Sequence, residues 1–172
     1  LEEWLRLYGA KRDEPDWRND LWARALYYLA RAREDANDTA LAVGLYEKHD
    51  TVQPWTNYRF YGRFRLALIT LQKFREQNRS HAWREVEDAF VRTIDAPFGD
   101  GLWRREPYYY LTWFHCELHH WARCWLWAKA ALATPPIDYS RMPLFLEPAL
   151  YDEAWFRWMA QRALGEIKMN NK

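Results

Sequence analysis

The chain has 172 residues, which is enough for one domain of ordinary size. Its 25 basic residues nearly balance its 24 acidic residues, and the net charge of +1 does not indicate a nucleic-acid or anionic-membrane partner. Aromatic residues make up 18% of the chain, which favours either a thin helical core filled by large side chains or a groove lined by aromatic rings. No alternating β-branched run predicts a strand, so the expected fold class is all-α.

The two cysteines, Cys116 and Cys124, are too few for a disulfide framework and are typical of a reducing compartment. The sequence shows no signal-peptide pattern and no apolar run of about 18 residues that could span a membrane. We therefore expect a cytoplasmic protein without a membrane span. The chain opens with Leu1 inside a helical pattern, which indicates a piece of a longer polypeptide.

Helical periodicity predicts a short helix over 1–8 and then a hairpin of two helices over about 19–50. The turn of this hairpin is expected at Asn37-Asp38, with Asp38 capping the second helix. A second pair is predicted over about 56–96. Its first helix carries an apolar stripe and a separate polar face, which is formed by Arg59, Arg63, Thr70 and Lys73.

The third predicted hairpin covers about 106–134 and precedes a longer irregular link. A last helix is predicted over about 148–164, with Ala154 and Trp158 at successive turns and Gly165 as its end. The residues after Gly165 are expected to be a frayed tail.

The first and third hairpins share the same internal offsets at five positions. Leu29, Ala30, Ala42, Tyr46 and Pro54 correspond to Leu111, Thr112, Cys124, Ala128 and Pro136. In the second pair, Val86 and Phe90 are the best candidates for the Ala42 and Tyr46 positions. The spacing resembles the tetratricopeptide repeat, in which small residues stand where two helices cross. This resemblance implies a single domain over 1–172, built as an α-solenoid of antiparallel hairpins.

Larger segments also resemble the helical domains that follow the catalytic domain of family-2-type (GT-A) glycosyltransferases. The most distinctive are Arg-Glu-Pro at 105–107 and Leu-Glu-Pro-x-x-Tyr-Asp at 146–152. The resemblance implies that a catalytic domain precedes this chain, with a nucleotide-sugar donor, a divalent metal and an Asp-x-Asp pair. This sequence contains no Asp-x-Asp, so no catalytic residue can be assigned here, and whether the chain belongs to an enzyme stays open.

Candidate chemistry within the chain is sparse. His115, Glu117, His119 and His120 lie close together, but they lack the HExxH order of a zinc site, so a structural role is favoured over metal binding. Cys124 occupies the small place of the repeat, which favours a buried packing role. No nucleophile arrangement or glycine-rich phosphate loop is present, so we predict no catalytic residue, cofactor or metal.

The better candidate site is the concave groove of the array, lined by the first helix of each hairpin. The repeat pattern assigns the groove to Arg24, Tyr27, Arg31 and Glu34-Asp35 in one unit, and to Glu106, Tyr109, Trp113 and Cys116-Glu117 in the other. Aromatic rings flanked by charges suit a peptide or a sugar chain. The alternative is that these rings pack under the terminal helix.

These observations lead us to expect a non-catalytic scaffold or interaction domain, the C-terminal arm of a glycosyltransferase. Its expected partners are the catalytic domain or another protein, and a glycan acceptor is a further candidate. One alternative is a free-standing tetratricopeptide-like protein that binds a peptide. Another is a carbohydrate-binding module that uses the aromatic groove.

Overall fold

The computed structural model describes residues 16–52, 57–77, 82–96, 105–134 and 152–170. All seven elements within these ranges are α-helices, and none of the described residues forms a strand, so the all-α prediction is confirmed. The chain divides into two compact units, Leu1–Gly99 and Asp100–Lys172. No described helix is long and apolar enough to cross a membrane.

The first unit contains four described helices, in which each helix packs against the next along the chain. They are α1 (Asp16–Asp35), α2 (Thr39–Val52), α3 (Asn57–Gln77) and α4 (Trp83–Ile94). Helix α1 also contacts α3. These bounds lie within a few residues of the ends expected for the two helix pairs.

The core of the first unit follows the repeat positions. Ala30 and Ala42 are fully buried, and the absence of larger side chains there lets α1 and α2 approach closely. Tyr46 and Phe90 are also fully buried, as expected for the bulky places of the pattern, and Val86 is fully buried at the place that corresponds to Ala42. Burying one large apolar side chain contributes about 1.5–3 kcal/mol, so each of the large side chains at these positions stabilises the unit.

The second unit contains three described helices: α5 (Arg105–Glu117), α6 (Trp121–Ala133) and α7 (Glu153–Asn170). Helices α5 and α6 form the third predicted hairpin, and α7 packs against α6 and, less extensively, α5. The small side chains of Cys124, Ala128 and Ala131 are fully buried on α6. They face the core residues of α7, which are Phe156, Met159, Ala160 and Ala163.

The turns of the first and third hairpins have the same backbone geometry. Asn37 and His119 are left-handed, with φ of 61° and 56°. At each turn, the residue after the left-handed one donates its N–H to a carbonyl five residues earlier: Asp38 to Arg33 and His120 to His115, both at 2.9 Å. This is the Schellman termination of a helix. It extends the correspondence between the two hairpins from side chains to the backbone.

Helix α7 differs from its prediction at both ends and on its faces. It begins at Glu153, where Asp152 caps it by accepting the N–H of Ala154 at 2.8 Å. It does not end at Gly165 but continues to Asn170. A glycine inside a helix costs only about 1 kcal/mol relative to alanine, which the packing of Ala163 and the half-buried Ile167 can offset. Trp158 points outward, because Phe156, Met159 and Ala163 define the buried face.

The cysteines also differ from their sequence interpretation as reduced residues. Cys116 on α5 and Cys124 on α6 are joined by a disulfide, with their Cα atoms 5.2 Å apart. Cys124 occupies the small crossing position as predicted, and that position brings its sulfur against the facing helix. The sequence argument for a reducing compartment therefore has no support from the cysteines.

Several sequence predictions lie outside the described residues. They are the helix over 1–8, the prolines Pro54 and Pro136, and most of the segment 146–152.

Candidate functional site

The first half of the predicted groove lies on the side of α1 that faces α3. Tyr27, Arg31 and Glu34 come together there, while Arg24 and Asp35 are exposed. Arg31 forms ion pairs with Glu34 at 3.6 Å and with Asp35 at 3.3 Å. The repeat pattern thus identifies neighbouring residues, but Tyr27 and Glu34 also contact α3 rather than only lining an open surface.

Glu34 is the centre of a polar network that joins three helices. Its carboxylate accepts the hydroxyl of Tyr46 on α2 at 2.8 Å. It also accepts two N–H groups of Arg65 on α3, one from Nε at 3.1 Å and one from Nη2. A guanidinium that grips both oxygens of a carboxylate fixes the orientation of both side chains. The network therefore sets the position of α3 against α1 and α2.

The network shifts the titration of its members. Burial alone would raise the pKa of Glu34, but the hydrogen bonds from Arg65 and Tyr46 outweigh it, so this pKa lies below its ordinary value. Burial and the Glu34 carboxylate raise the pKa of Tyr46 far above its usual range. Glu34 is thus a carboxylate and Tyr46 a neutral donor at neutral pH. Neither Glu34 nor Tyr46 therefore changes its protonation state near pH 7, which indicates a structural role for this pair.

Tyr27 packs inside a cluster of rings. Its ring centroid lies 6.1 Å from Tyr46, 6.2 Å from His49 and 6.0 Å from Tyr61. His49 is fully buried, and neither of its ring nitrogens has a hydrogen-bond partner among the described residues. The Gly62 backbone lies so close that an added Cβ would stand 2.6 Å from His49 Nδ1. Both residues are present in the sequence, but nothing in the sequence indicates that Gly62 and His49 lie against each other.

The second half of the predicted groove lies in the second unit. Tyr109 and Trp113 are half-buried, Glu117 is exposed, and Glu106 and Cys116 are buried. The ring of Tyr109 packs on Trp155 of the terminal helix α7, with centroids 4.5 Å apart. This is the packing alternative that the sequence left open. Cys116 contributes to the disulfide instead of to a groove.

Arg105 is a buried cation that the sequence did not single out by itself. It is 2% exposed and donates to the Thr134 hydroxyl at 3.2 Å, to the Thr134 carbonyl at 2.9 Å and to Glu153 at 3.0 Å. The hydrogen bonds from Arg105 and Arg157 hold the pKa of Glu153 below its ordinary value. Arg105 thereby ties the start of α5 to the end of α6 and the start of α7. The only sequence signal was its place in the Arg-Glu-Pro segment.

The histidines at the third turn form a pair rather than a larger group. The Nδ1 atoms of His115 and His120 lie 3.4 Å apart, and His119 packs its ring against Trp121. Within the described residues, no three His, Cys, Asp or Glu side chains converge as metal ligands.

A cleft of about 370 Å³ opens between α2, α3 and α4 in the first unit. Its apolar lining comes from all three helices and includes Val43, Leu66, Ile69, Val86 and Ala89. Its charged lining has both signs: Glu47, Asp50 and Glu85 against Arg63, Lys73 and Arg92. Arg63, Thr70 and Lys73 belong to the polar face of α3 predicted from the sequence. The periodicity therefore carried a signal for this cleft, although the predicted groove lay elsewhere.

One wall of the cleft is fixed by Arg63. Its guanidinium donates to both oxygens of Asp50 on α2, at 2.6 and 3.1 Å, and to the carbonyl of Arg92 on α4 at 2.8 Å. Arg59 adds a bond to Asp50 at 2.8 Å. These bonds overcome the effect of burial and lower the pKa of Asp50. In contrast, Glu47, Lys73 and Glu85 are exposed at the edge of the cleft, where they can meet a ligand.

Comparison of the chain with protein-family models, with curated proteins and with solved structures found no match.

Proposed function

We propose that this chain is a non-catalytic helical scaffold that binds a peptide segment of a partner protein in the cleft between α2, α3 and α4. The cleft itself carries the proposal, because it combines an apolar lining with exposed charges of both signs. Such a surface suits an amphipathic segment that inserts an apolar anchor and places its flanking charges at the edge. Its volume lies at the small end of ligand pockets, which fits one or two anchor side chains.

The resemblance in the sequence extends this proposal. In it, the hairpins stack as a tetratricopeptide-like solenoid and the chain is the C-terminal arm of a cytoplasmic glycosyltransferase. The partner is then the catalytic domain, another protein or a glycan acceptor. The Arg105 contacts support a structural role for the Arg-Glu-Pro segment on which the resemblance rests.

The free-standing peptide-binding alternative uses the same cleft. The DNA sequence upstream of the Leu1 codon therefore distinguishes it from the glycosyltransferase arm. A reading frame upstream of the Leu1 codon that encodes a strand–helix domain with an Asp-x-Asp pair supports the glycosyltransferase arm. A start codon directly before Leu1 supports the free-standing protein. Turnover of a nucleotide sugar by this chain alone contradicts a non-catalytic role in either case.

The carbohydrate-binding alternative relies on aromatic groove residues, and Tyr109 already packs against Trp155. It has its own test in the quenching of tryptophan fluorescence by glycans, repeated with Trp113→Ala. Quenching that this substitution abolishes, in a chain that stays folded, favours the carbohydrate module over the peptide-binding scaffold.

The peptide proposal is tested by selecting binders from a displayed peptide library and measuring their affinity by fluorescence anisotropy. Thr70→Trp fills the cleft from α3, and we expect it to weaken binding at least about tenfold. Gln72→Trp adds the same bulk at an exposed position of the same helix and outside the cleft lining, so binding should be unchanged. Equal affinity of both variants for the selected peptides would exclude the cleft as their site.

A further inference from the structure

The outer side of α7 exposes large apolar side chains far from the cleft helices in the sequence. Trp158 is 54% exposed and Met169 is 62% exposed, although both residues could contribute to a core. They lie on one stripe with Arg162 and Gly165, because the spacings of four, three and four residues follow the helical repeat. We call these four residues the α7 stripe. The two exposed apolar side chains stand at the two ends of this stripe, with Arg162 and Gly165 between them.

The spacing of the α7 stripe is symmetric about its midpoint. When a second copy of α7 lies antiparallel across it, each Trp158 comes opposite Met169 of the other copy, and each Arg162 comes opposite Gly165. Sulfur and aromatic rings make favourable contacts. A Cβ added at Gly165 would meet nothing within 4 Å, so this position leaves room for the larger arginine. The stripe is therefore complementary to itself, as a two-fold interface requires.

The charges of Arg162, within the α7 stripe, and of Glu166, beside it, fit the same arrangement. Arg162 lies between two indole rings, 5.7 Å from the centroid of Trp121 and 5.6 Å from that of Trp158. Glu166 is one turn further along and has no ion-pair partner among the described residues. In an antiparallel pair, equal flanks of the two helices face each other, so Arg162 of each copy comes near Glu166 of the other. Flanking charges set partner choice in paired helices.

We infer that the α7 stripe is a self-association surface, on which two copies of this chain pack their α7 helices antiparallel about a two-fold axis. The stripe is about 17 Å long at 1.5 Å per residue. A contact of this length buries a small area and belongs to the transient class of interfaces. The expected dimer is weak and dissociates on dilution.

The first test measures the mass of the full chain in solution by sedimentation velocity. Over about three orders of magnitude in concentration, the mass should rise from 21.0 kDa towards twice that value. Trp158→Ala should weaken association at least about tenfold. Leu126→Ala removes an apolar side chain of similar exposure, 50%, from α6 and should leave association unchanged. A constant mass of 21.0 kDa, or equal effects of the two variants, would overturn the inference.

The second test uses charge reversal. Association that is restored only when two variants are mixed cannot result from contacts within one chain. Arg162→Glu places two acidic residues on each flank, and Glu166→Arg places two basic residues there. Each variant alone should stay monomeric because like charges then face each other across the axis. An equimolar mixture should associate as a heterodimer, since each flank then meets its opposite charge. A mixture that stays monomeric, although both variants have native circular dichroism spectra, would contradict the antiparallel arrangement.

Discussion

At the scale of single residues, Gly62 is where α3 approaches the buried ring of His49 most closely. Gly62→Ala should destabilise the chain, because the new Cβ would lie 2.6 Å from His49 Nδ1 and the buried ring has little room to move. Overpacking costs about 1–3 kcal/mol, which exceeds the gain of about 1 kcal/mol from removing a helical glycine. Urea unfolding followed by circular dichroism measures the loss.

Gly44 supplies the matched control for this substitution. It lies in helix α2, where an added Cβ would meet nothing within 4 Å, so Gly44→Ala should stabilise the chain by up to about 1 kcal/mol. A smaller cost of Gly62→Ala in a His49→Ala background would locate the clash at this pair. Equal behaviour of the two glycines would contradict the close approach of α3 to His49.

His49 also predicts how stability depends on pH. Burial lowers its pKa from 6.5 to about 4, opposed by the Asp50 carboxylate and assisted by Arg59. Between these two values the unfolded chain binds a proton that the folded chain does not, so folding stability falls as pH decreases from 6.5 towards 4. The full effect is about 3 kcal/mol. The depressed pKa values of Glu34 and Asp50 add a loss of the same sign at still lower pH.

Thermal unfolding between neutral pH and about pH 5 measures this dependence. His49→Gln removes the titrating group, and we expect the variant to lose less stability over this interval than the original chain. The two curves should then converge as the pH falls. Parallel curves would show that His49 does not titrate differently in the folded and unfolded chains.

At the scale of helices, the turns of the first and third hairpins predict the effect of glycine and alanine substitutions at Asn37 and His119. Asn37 and His119 have positive φ values, and a left-handed residue other than glycine costs about 1–2 kcal/mol, less for asparagine. Glycine should therefore be more stable than alanine at both positions, by about 1 kcal/mol. Comparing Gly with Ala at one site cancels the lost side-chain contacts, such as the packing of His119 on Trp121.

Unfolding free energies of the four variants, two at Asn37 and two at His119, measure these differences. The ordering should reverse at Gly44, inside α2, where alanine is favoured. Alanine variants at Asn37 and His119 that match their glycine counterparts would contradict the left-handed conformation at these two turns.

The repeated hairpin was predictable because it depends on local patterns. Ala42 and Cys124 hold the same position in their hairpins, and both are buried where small residues were expected. The first turn lies at Asn37-Asp38, as the sequence predicts. Asp38 caps α2 as expected, by accepting the N–H of Leu41 at 3.4 Å. Side-chain size and capping chemistry suffice for such features, since they act within one hairpin.

Features that depend on contacts between distant residues were not predictable in the same way. Glycine often ends a helix, but α7 continues beyond Gly165 because it packs against α6. The burial of Arg105 depends on Thr134 and Glu153, which are 29 and 48 residues away. For the same reason the sequence assigned Tyr27 and Tyr109 to a groove, whereas their packing partners come from other helices.

At the scale of the whole molecule, each unit has its own core and its own candidate surface. The cleft belongs entirely to the first unit, and the α7 stripe belongs entirely to the second. Peptide binding and self-association should therefore respond to different substitutions. Thr70→Trp should leave the sedimentation behaviour unchanged, and Trp158→Ala should leave peptide affinity unchanged.

The most direct test of the scaffold proposal is hydrogen–deuterium exchange of the full chain with and without a selected peptide. The peptide should slow exchange in α2, α3 and α4, most strongly around the cleft residues Glu47, Thr70 and Ala89. Exchange in α5, α6 and α7 should stay the same. Slowed exchange confined to the second unit, or none at a saturating peptide concentration, would contradict the proposal that the cleft is the binding site.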